Sequence, residues 1–372
     1  MVVKKRVNIF IFIHDLAPFG AQRVALHLAG NLDPEKFRFT VCSFWGDETL
    51  APEFERCGAE VILLKAKRFL DLSAWLRLAG LLSRHRPEIV QATLPELSIP
   101  LRVFSLFIPG LRVVHNVQNP FSSEPWYWRL LNRATLRLCD AVIFSSRGVY
   151  EESAPGLKRF SGKLSVAQNC VSLEPVSPAA GAALRRDLGI NENEKVIGCV
   201  GRLTRQKGQD ILIAAAARLL SGERRLRFIL VGDGETLAEL KEQVLRTGLE
   251  REVLFLGRRA DIAQILSACD IYAAPSRWES FNIALGEAML SGKPCVASDI
   301  PGHADLLRDG VTAAAIPAES TEALVKGISR LLESPDEAQR LGLAAKEMVS
   351  ADFTVAKMTG KFEKVYLEIG QR

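Results

Sequence analysis

Two glutamates, Glu279 and Glu287, stand eight residues apart in RWESFNIALGEAMLSGKPCVASD, residues 277–299. The stretch from Asn282 to Ser291 reads as a helix with Ala284, Glu287, Ala288 and Ser291 on one face, ended by Gly292 and then Pro294. A carboxylate among small side chains suits close approach by a ligand. The competing reading makes Glu287 a solvated helix residue and Glu279 a turn residue, because most helix glutamates are exposed.

A second set of charges lies upstream, in VIGCVGRLTRQKGQDILIAAAARLL. This is strand, loop and helix: Gly201 permits a tight exit, Arg202 and Lys207 bring two cations to the loop, and Gly208 precedes the helix. Two fixed cations beside a helix terminus can hold a diphosphate without a metal ion. A basic loop that is merely solvated is the alternative. The next such loop, VGDGE, has Gly232 and Gly234 but no third spaced glycine, and alone carries little weight as a dinucleotide motif. Nearer the start, Gly20 in HDLAPFGAQRVALHLAG opens a helix and could present backbone N–H groups to a ligand. His115 closes a strand in VVHNVQN with Asn116 and Asn119 beside it, either facing a ligand or serving as a hydrogen-bonded structural residue.

These residues need a scaffold, and the chain supplies one twice. Short β-branched or apolar runs alternate with helical patterns, the signature of parallel sheets covered on both faces. The first series has strands near 7–13, 39–44, 60–64, 89–91, 112–115, 141–145 and 163–168. The second restarts at 196–200 and continues near 228–231, 253–256, 271–274, 295–297 and 313–316. Between them SLEPVSPAAGAALRRDLGINENE, residues 172–194, reads as the linker and its exit. Two doubly wound α/β domains with a cleft between them are expected. Ligands in such sheets sit at the carboxyl ends of the strands, where the motifs above fall.

At 372 residues, 48% hydrophobic and 24% charged, the composition is that of a two-domain globular enzyme. Seven dispersed cysteines and five histidines that never cluster point to a reduced, cytoplasmic setting without a structural metal. The run Val7 to Ile13 is too short for a signal peptide and reads as a first strand; Leu97 to Val114 is interrupted by Pro100, Arg102, Pro109, Gly110 and Arg112, so neither spans a bilayer. Residues 1–170 carry 22 Lys+Arg against 15 Asp+Glu, whereas the remainder is slightly acidic, so the first half should face something anionic. Lys65, Lys67, Arg68, Arg77, Arg84 and Arg86 flank a helical stripe of Leu72, Trp75, Leu76, Ala79 and Leu82. That stripe faces the core with a solvated basic rim, or else meets a membrane surface as a peripheral contact. No stacking aromatics interleave with the basic residues and no recognition motif appears, which argues against nucleic acid.

In order along nearly the whole chain, GAQRV, VVHNVQN, LCDAVIFSS, NCV, GRLTRQKG, ESFNIALGE and PGHADLLRDG resemble the retaining, nucleotide-sugar-dependent glycosyltransferases of family 4, whose two-domain fold is called GT-B. The resemblance implies that residues 1–170, completed by a terminal helix from 354–372, form the acceptor side, and that 171–353 bind the donor. It implies that Arg202 and Lys207 hold the donor diphosphate, that Glu279 contacts sugar hydroxyls and that Glu287 binds the ribose. Ser280, Phe281, Asn282 and Ile283 would pass their backbone amides close to sugar and phosphate. Gly20 would close from the other domain, and His115 would lie beside the transferred sugar. The chain departs from the family pattern at Cys170, usually Gly, at Ser172, usually Asp, and at Asn282, often Gly or Pro. His303 and Asp305 stand where the family has its second Gly and an acidic residue.

The activity so implied is retaining transfer of a sugar from a nucleoside diphosphate, with no metal and no cofactor. UDP-sugar stands ahead of GDP-mannose as donor, and the acceptor is a glycan or lipid-linked saccharide. No sequence position clearly supplies a carboxylate for double displacement, and the family is thought to use front-face attack, in which the departing phosphate oxygen takes the acceptor proton. Two alternatives share the scaffold: a nucleotide-sugar 2-epimerase, and a non-catalytic sugar-nucleotide or glycan-binding protein.

Overall fold

A computed structural model describes residues 6–221 and 225–370. Of the terminal stretches read above, residues 1–5 and 371–372 lie outside the described residues. The chain divides into two compact units: one runs to Cys170 and takes up the chain again at Val355, and the other comprises Val171–Thr354.

Among the described residues the first unit contains seven strands: β1 (Val7–Ile13), β2 (Phe37–Ser43), β3 (Glu60–Leu63), β4 (Ile89–Ala92), β5 (Arg112–Val117), β6 (Ala141–Phe144) and β7 (Leu164–Val166). All pair in parallel, in the order β3-β2-β1-β4-β5-β6-β7. The central strands read as nearly continuous apolar runs because helices cover both faces: Ile9 to Ile13 are all buried. The terminal helix Val355–Gly370 buries Phe362 and Tyr366 in this unit. It is fastened there by Tyr366 Oη donating to Gln91 Oε1 (2.8 Å) and by the Lys36–Glu363 ion pair (2.7 Å).

The second unit contains β8 (Lys195–Val200), β9 (Leu226–Val231), β10 (Val253–Phe255), β11 (Ile271–Ala274), β12 (Cys295–Ser298) and β13 (Ala314–Ile316), again all parallel, in the order β10-β9-β8-β11-β12-β13. All thirteen strands fall where the apolar runs place them. In each sheet the strand order reverses beside the first strand, between β1 and β4 and between β8 and β11. Those switch points are where open α/β sheets leave a crevice for a ligand.

Two expectations need correction. Residues 172–194 are not a bare linker: they include the helix Pro178–Asp187, packed so closely that a Cβ on Gly181 would lie 2.6 Å from the Ser267 carbonyl carbon. The helix Leu72–His85 buries Ala74, Leu78 and Leu82, while Leu72 and Leu76 are 70% and 64% exposed. Apolar residues span well over half of this helix, with Ser73, Arg77, Gly80 and Arg84 on the remaining side, so periodicity does not fix which part of the apolar arc turns inward. Arg102, which interrupts the run from Leu97 to Val114, is not at the surface. It is fully buried, donating from Nε to Ser98 Oγ (3.2 Å) and from Nη1 to Thr135 Oγ1 (2.9 Å).

Candidate functional site

In the second unit the loop leaving β8 turns at Gly201, whose φ of 155° lies in the range glycine favours. The VGDGE loop after β9 lies against it: a Cβ on Gly232 would be 1.9 Å from the Gly201 carbonyl oxygen, and one on Gly234 would be 2.2 Å from that of Leu203. Leu203 N donates to Asp233 O (3.0 Å), so the two loops are joined by backbone as well. The glycines of VGDGE are thus required for loop-to-loop packing, whether or not a nucleotide touches them. Arg202 stands exposed on this loop.

The loop leaving β11 carries Ser276, Arg277 and Glu279. Its buried Glu279 is 2.6 Å from Lys207 Nζ through Oε1, which also accepts from Ser276 Oγ (2.9 Å), while Oε2 accepts from Gln206 Nε2 (3.2 Å). Two residues that the sequence assigns to separate tasks are therefore one ion pair across the switch point. Lys207 and Glu279 side chains are 17% and 5% exposed, and a buried pair of this kind stands only when further hydrogen bonds satisfy the carboxylate, as Ser276 and Gln206 do here.

Arg277, which sequence reasoning passed over, clamps the two loops. Its guanidinium donates to both Asp210 carboxylate oxygens (2.9 and 2.7 Å), to Arg205 O (2.7 Å) and to Glu319 Oε1 (2.8 Å). Burial pushes the Asp210 carboxyl up, but the hydrogen bonds and charge of Arg277 outweigh it and hold the group below its ordinary value. Sixty-seven residues separate these partners, and no local pattern announces them.

Asn282 is the N-cap of helix Ile283–Leu290, its Oδ1 accepting from Leu285 N (3.2 Å). Its Nδ2 lies 3.1 Å from His303 Nε2, and His303 Nδ1 lies 2.7 Å from Ser298 O. A carbonyl can only accept, so Nδ1 carries the proton and Nε2 accepts from Asn282. Burial lowers the His303 pKa, which keeps this neutral tautomer. The two departures from the family pattern are thus a matched pair. Gly302 beside it brings the PGHADLL segment against Glu279, where a Cβ would be 2.1 Å from the Glu279 carbonyl oxygen. Ser280, Phe281 and Asn282 are buried, and Ile283 opens the helix, whose first N–H groups have no partner within the helix itself. Glu287 lies in its middle, half-buried.

The remaining two site residues are in the first unit. Gly20 opens the helix Gly20–Asn31. His115 is on β5, 1% exposed, stacked on Phe121 (6.4 Å between centroids), with neither ring nitrogen in a hydrogen bond. Burial first and the Arg102 charge second hold its pKa well below 6.5, so it is a neutral imidazole. At this unit's switch point His14 Nε2 lies 3.5 Å from Glu96 Oε1, and the His14 ring stacks on Trp45 (5.0 Å, 18°). A cavity of about 260 Å³ opens beside it, lined by Trp45, Glu48 and Lys65 among others. Sequence reading missed this cluster, although His14 directly follows a strand.

Comparison with known proteins falls on both units. The family model described as Glycosyltransferase Family 4 matches residues 19–175, and that described as Glycosyl transferases group 1 matches residues 182–348. Alpha-D-kanosaminyltransferase of Streptomyces kanamyceticus is 29% identical over 52% of this chain and 50% of its own length. UDP-Gal:alpha-D-GlcNAc-diphosphoundecaprenol alpha-1,3-galactosyltransferase of Escherichia coli is 30% identical over 56% and 54%. The chain spans about half the length of the curated relatives it matches. Among solved structures, Anabaena Alr3699/HepE in complex with UDP and glucose superposes with a TM-score of 0.86 at 25% identity, over 98% of this chain and 100% of that one. WaaG, a glycosyltransferase involved in lipopolysaccharide biosynthesis, superposes at 0.77 and 17% identity over 97% and 99%, a likeness of fold.

Proposed function

This chain belongs to glycosyltransferase family 4 and has its GT-B fold, and from that premise we propose that it transfers a sugar from a nucleoside diphosphate to an acceptor hydroxyl, with retention at the anomeric carbon. The observation that carries the reading is the convergence, at the switch point of the second unit, of Arg202, the Lys207–Glu279 pair and the start of helix Ile283–Leu290. Fixed cations and a helix N-terminus favour a diphosphate there. Arg202 and Lys207 stabilise the charge that develops on the leaving group, so no metal is needed for that task. Glu279 orients Lys207 and meets sugar hydroxyls; Glu287 takes the ribose; the backbone from Ser280 to Ile283, placed by the Asn282–His303 pair, passes the sugar and phosphate. The departing phosphate oxygen takes the acceptor proton, and the protein acts by positioning.

UDP is the favoured nucleotide, because HepE is a full-length structural match bound to UDP and, in another complex, to UDP-glucose. The first unit takes the acceptor, with Gly20 and His115 contributing, and its neutral polar groups suit hydroxyls better than phosphates. A lipid-linked saccharide fits the surplus of basic residues in that unit and the diphosphoundecaprenol acceptor in the E. coli relative's name. Cytoplasmic work at the membrane surface is the matching setting. No helix among the described residues is long and apolar enough to cross a membrane.

Screening the purified chain against a panel of nucleotide sugars by thermal shift, then assaying transfer with and without EDTA, tests the reading. UDP-sugars should stabilise the protein and EDTA should leave turnover unchanged. Absence of stabilisation by every nucleotide sugar would refute the donor assignment, and loss of turnover in EDTA with recovery on Mg²⁺ would refute the metal-free mechanism.

A further inference from the structure

The first unit carries an apolar surface that its core does not use. Leu72 and Leu76, one turn apart on helix Leu72–His85, are exposed, and so is the preceding Leu70 at 76%. Leu106 and Phe107 project from the turn after helix Pro95–Phe104, Phe107 at 77%. On helix Trp126–Thr135, Trp126 and Leu130 lie one turn apart at 70% and 61%, with Tyr127 and Leu131 exposed beside them. These three pieces form one region, because a half-buried layer of rings runs beneath them. Phe69 meets Trp75 (5.7 Å between centroids) and Trp128 (6.1 Å), and Trp75 meets Phe104 (6.3 Å).

The charges around the surface are mostly positive, with Asp71 beside Leu72 as an exception. From Leu97 to Cys139 the chain has five arginines and a single acid, Glu124. Arg102 is buried, but Arg129, Arg133 and Arg137 are exposed, as are Lys67 and Arg68 beside Leu70. An exposed apolar patch this extensive marks an interaction site. Tryptophan and tyrosine interspersed with arginine and leucine on one exposed helix is the composition of an element lying at a lipid headgroup boundary.

We propose that this surface is a docking face for an anionic lipid bilayer, with Trp126, Leu130, Phe107 and Leu72 entering the boundary and the arginines meeting lipid phosphates. A second copy of this chain is a poor occupant. A two-fold contact would bring the same arginines together, with one acid in the segment to offset them. The docking face deepens the reading of a peripheral transferase and rests on it only for its biological purpose. Vesicle binding needs neither donor nor acceptor, so failure of this inference and failure of the transferase reading are distinguishable.

Co-sedimentation of the whole chain with vesicles of phosphatidylcholine, alone and mixed with phosphatidylglycerol, tests the inference at low and high salt. Wild type should partition onto the anionic vesicles and lose that partitioning as salt rises. A Trp126→Ser, Leu130→Ser double variant should lose tenfold or more. An Arg129→Gln, Arg133→Gln variant, which keeps the apolar side chains, should lose roughly fivefold per arginine and depend less on salt. Equal partitioning of wild type and both variants would overturn the proposal. So would equal binding to neutral and anionic vesicles, or a concentration-dependent dimer that the serine substitutions abolish in a protein without vesicle binding.

Discussion

The switch points of the two units are built alike and furnished differently. In each, a side chain that follows the first strand meets one that follows the fourth: Lys207 with Glu279 at 2.6 Å in the second unit, His14 with Glu96, in the first turn of helix Pro95–Phe104, at 3.5 Å in the first. The second unit's pair is a half-buried lysine and a buried carboxylate, the carboxylate saturated by Ser276 and Gln206 and the loops braced by Arg277. The first unit's pair is more open, its side chains 20% and 27% exposed, and burial holds the His14 pKa below 6.5 against the pull of Glu96 and Asp15. The same topology therefore holds a fixed ion pair in the second unit and a more open imidazole–carboxylate contact with an aromatic ring in the first. That division suits a diphosphate in the second unit and a hydroxyl-bearing ligand in the first.

Removing one partner from the saturated pair breaks the comparison most sharply. Lys207→Ala leaves Glu279 buried with no cation, and should cost about 3–5 kcal/mol of stability in urea unfolding and lower turnover by about 10²-fold or more. A loss of turnover without any loss of stability would show that the pair is looser than the 2.6 Å contact implies. Asn282→Ala removes a helix cap and leaves His303 Nε2 without its donor. A loss of about 1 kcal/mol is expected, together with weaker donor binding, and an unchanged midpoint would remove the pair from the site's framework.

The first unit should betray its titratable character through Glu124. Burial is the largest cause pushing this carboxyl up, to about 7 from an ordinary 4.5. The folded state then holds a proton that the unfolded chain releases, so this contribution is complete below pH 4.5 and is lost as pH rises through 7. Urea midpoints of wild type and Glu124→Gln across that range should show the decline in wild type and its reduction in the variant. Parallel profiles would contradict it. Smallest of all, Leu76→Ser should change stability by no more than about 0.5 kcal/mol, since Leu76 stands in solvent rather than in the core; a large loss would restore the stripe reading.

How far the sequence carries depends on whether a signal is local. The strands were legible because a sheet buried on both faces demands apolar runs such as VNIFIFI and LRFILV, and the helix start near Asn282 and stop at Gly292 were legible for similarly local reasons. Lys207 and Glu279 could be named, but not their contact, because 72 residues separate them. The Arg277–Asp210 clamp and the Asn282–His303 pair were hidden for the same reason. On helix Leu72–His85 the obstacle was different: apolar residues occupy too much of the circumference for periodicity to choose a face. The helix Trp126–Thr135 also went unread: its apolar residues gather on one side, but Trp126, Tyr127, Leu130 and Leu131 there are exposed, so no core packing marks it.

The central claim, that the nucleotide belongs to the second unit, is tested most directly by calorimetric titration of UDP into wild type, Glu287→Ala and His14→Ala. Losing the proposed ribose contact should weaken UDP roughly tenfold or more, while His14→Ala should bind UDP as wild type does. Wild-type affinity in Glu287→Ala together with weakened binding in His14→Ala would contradict the assignment and move the nucleotide to the first unit.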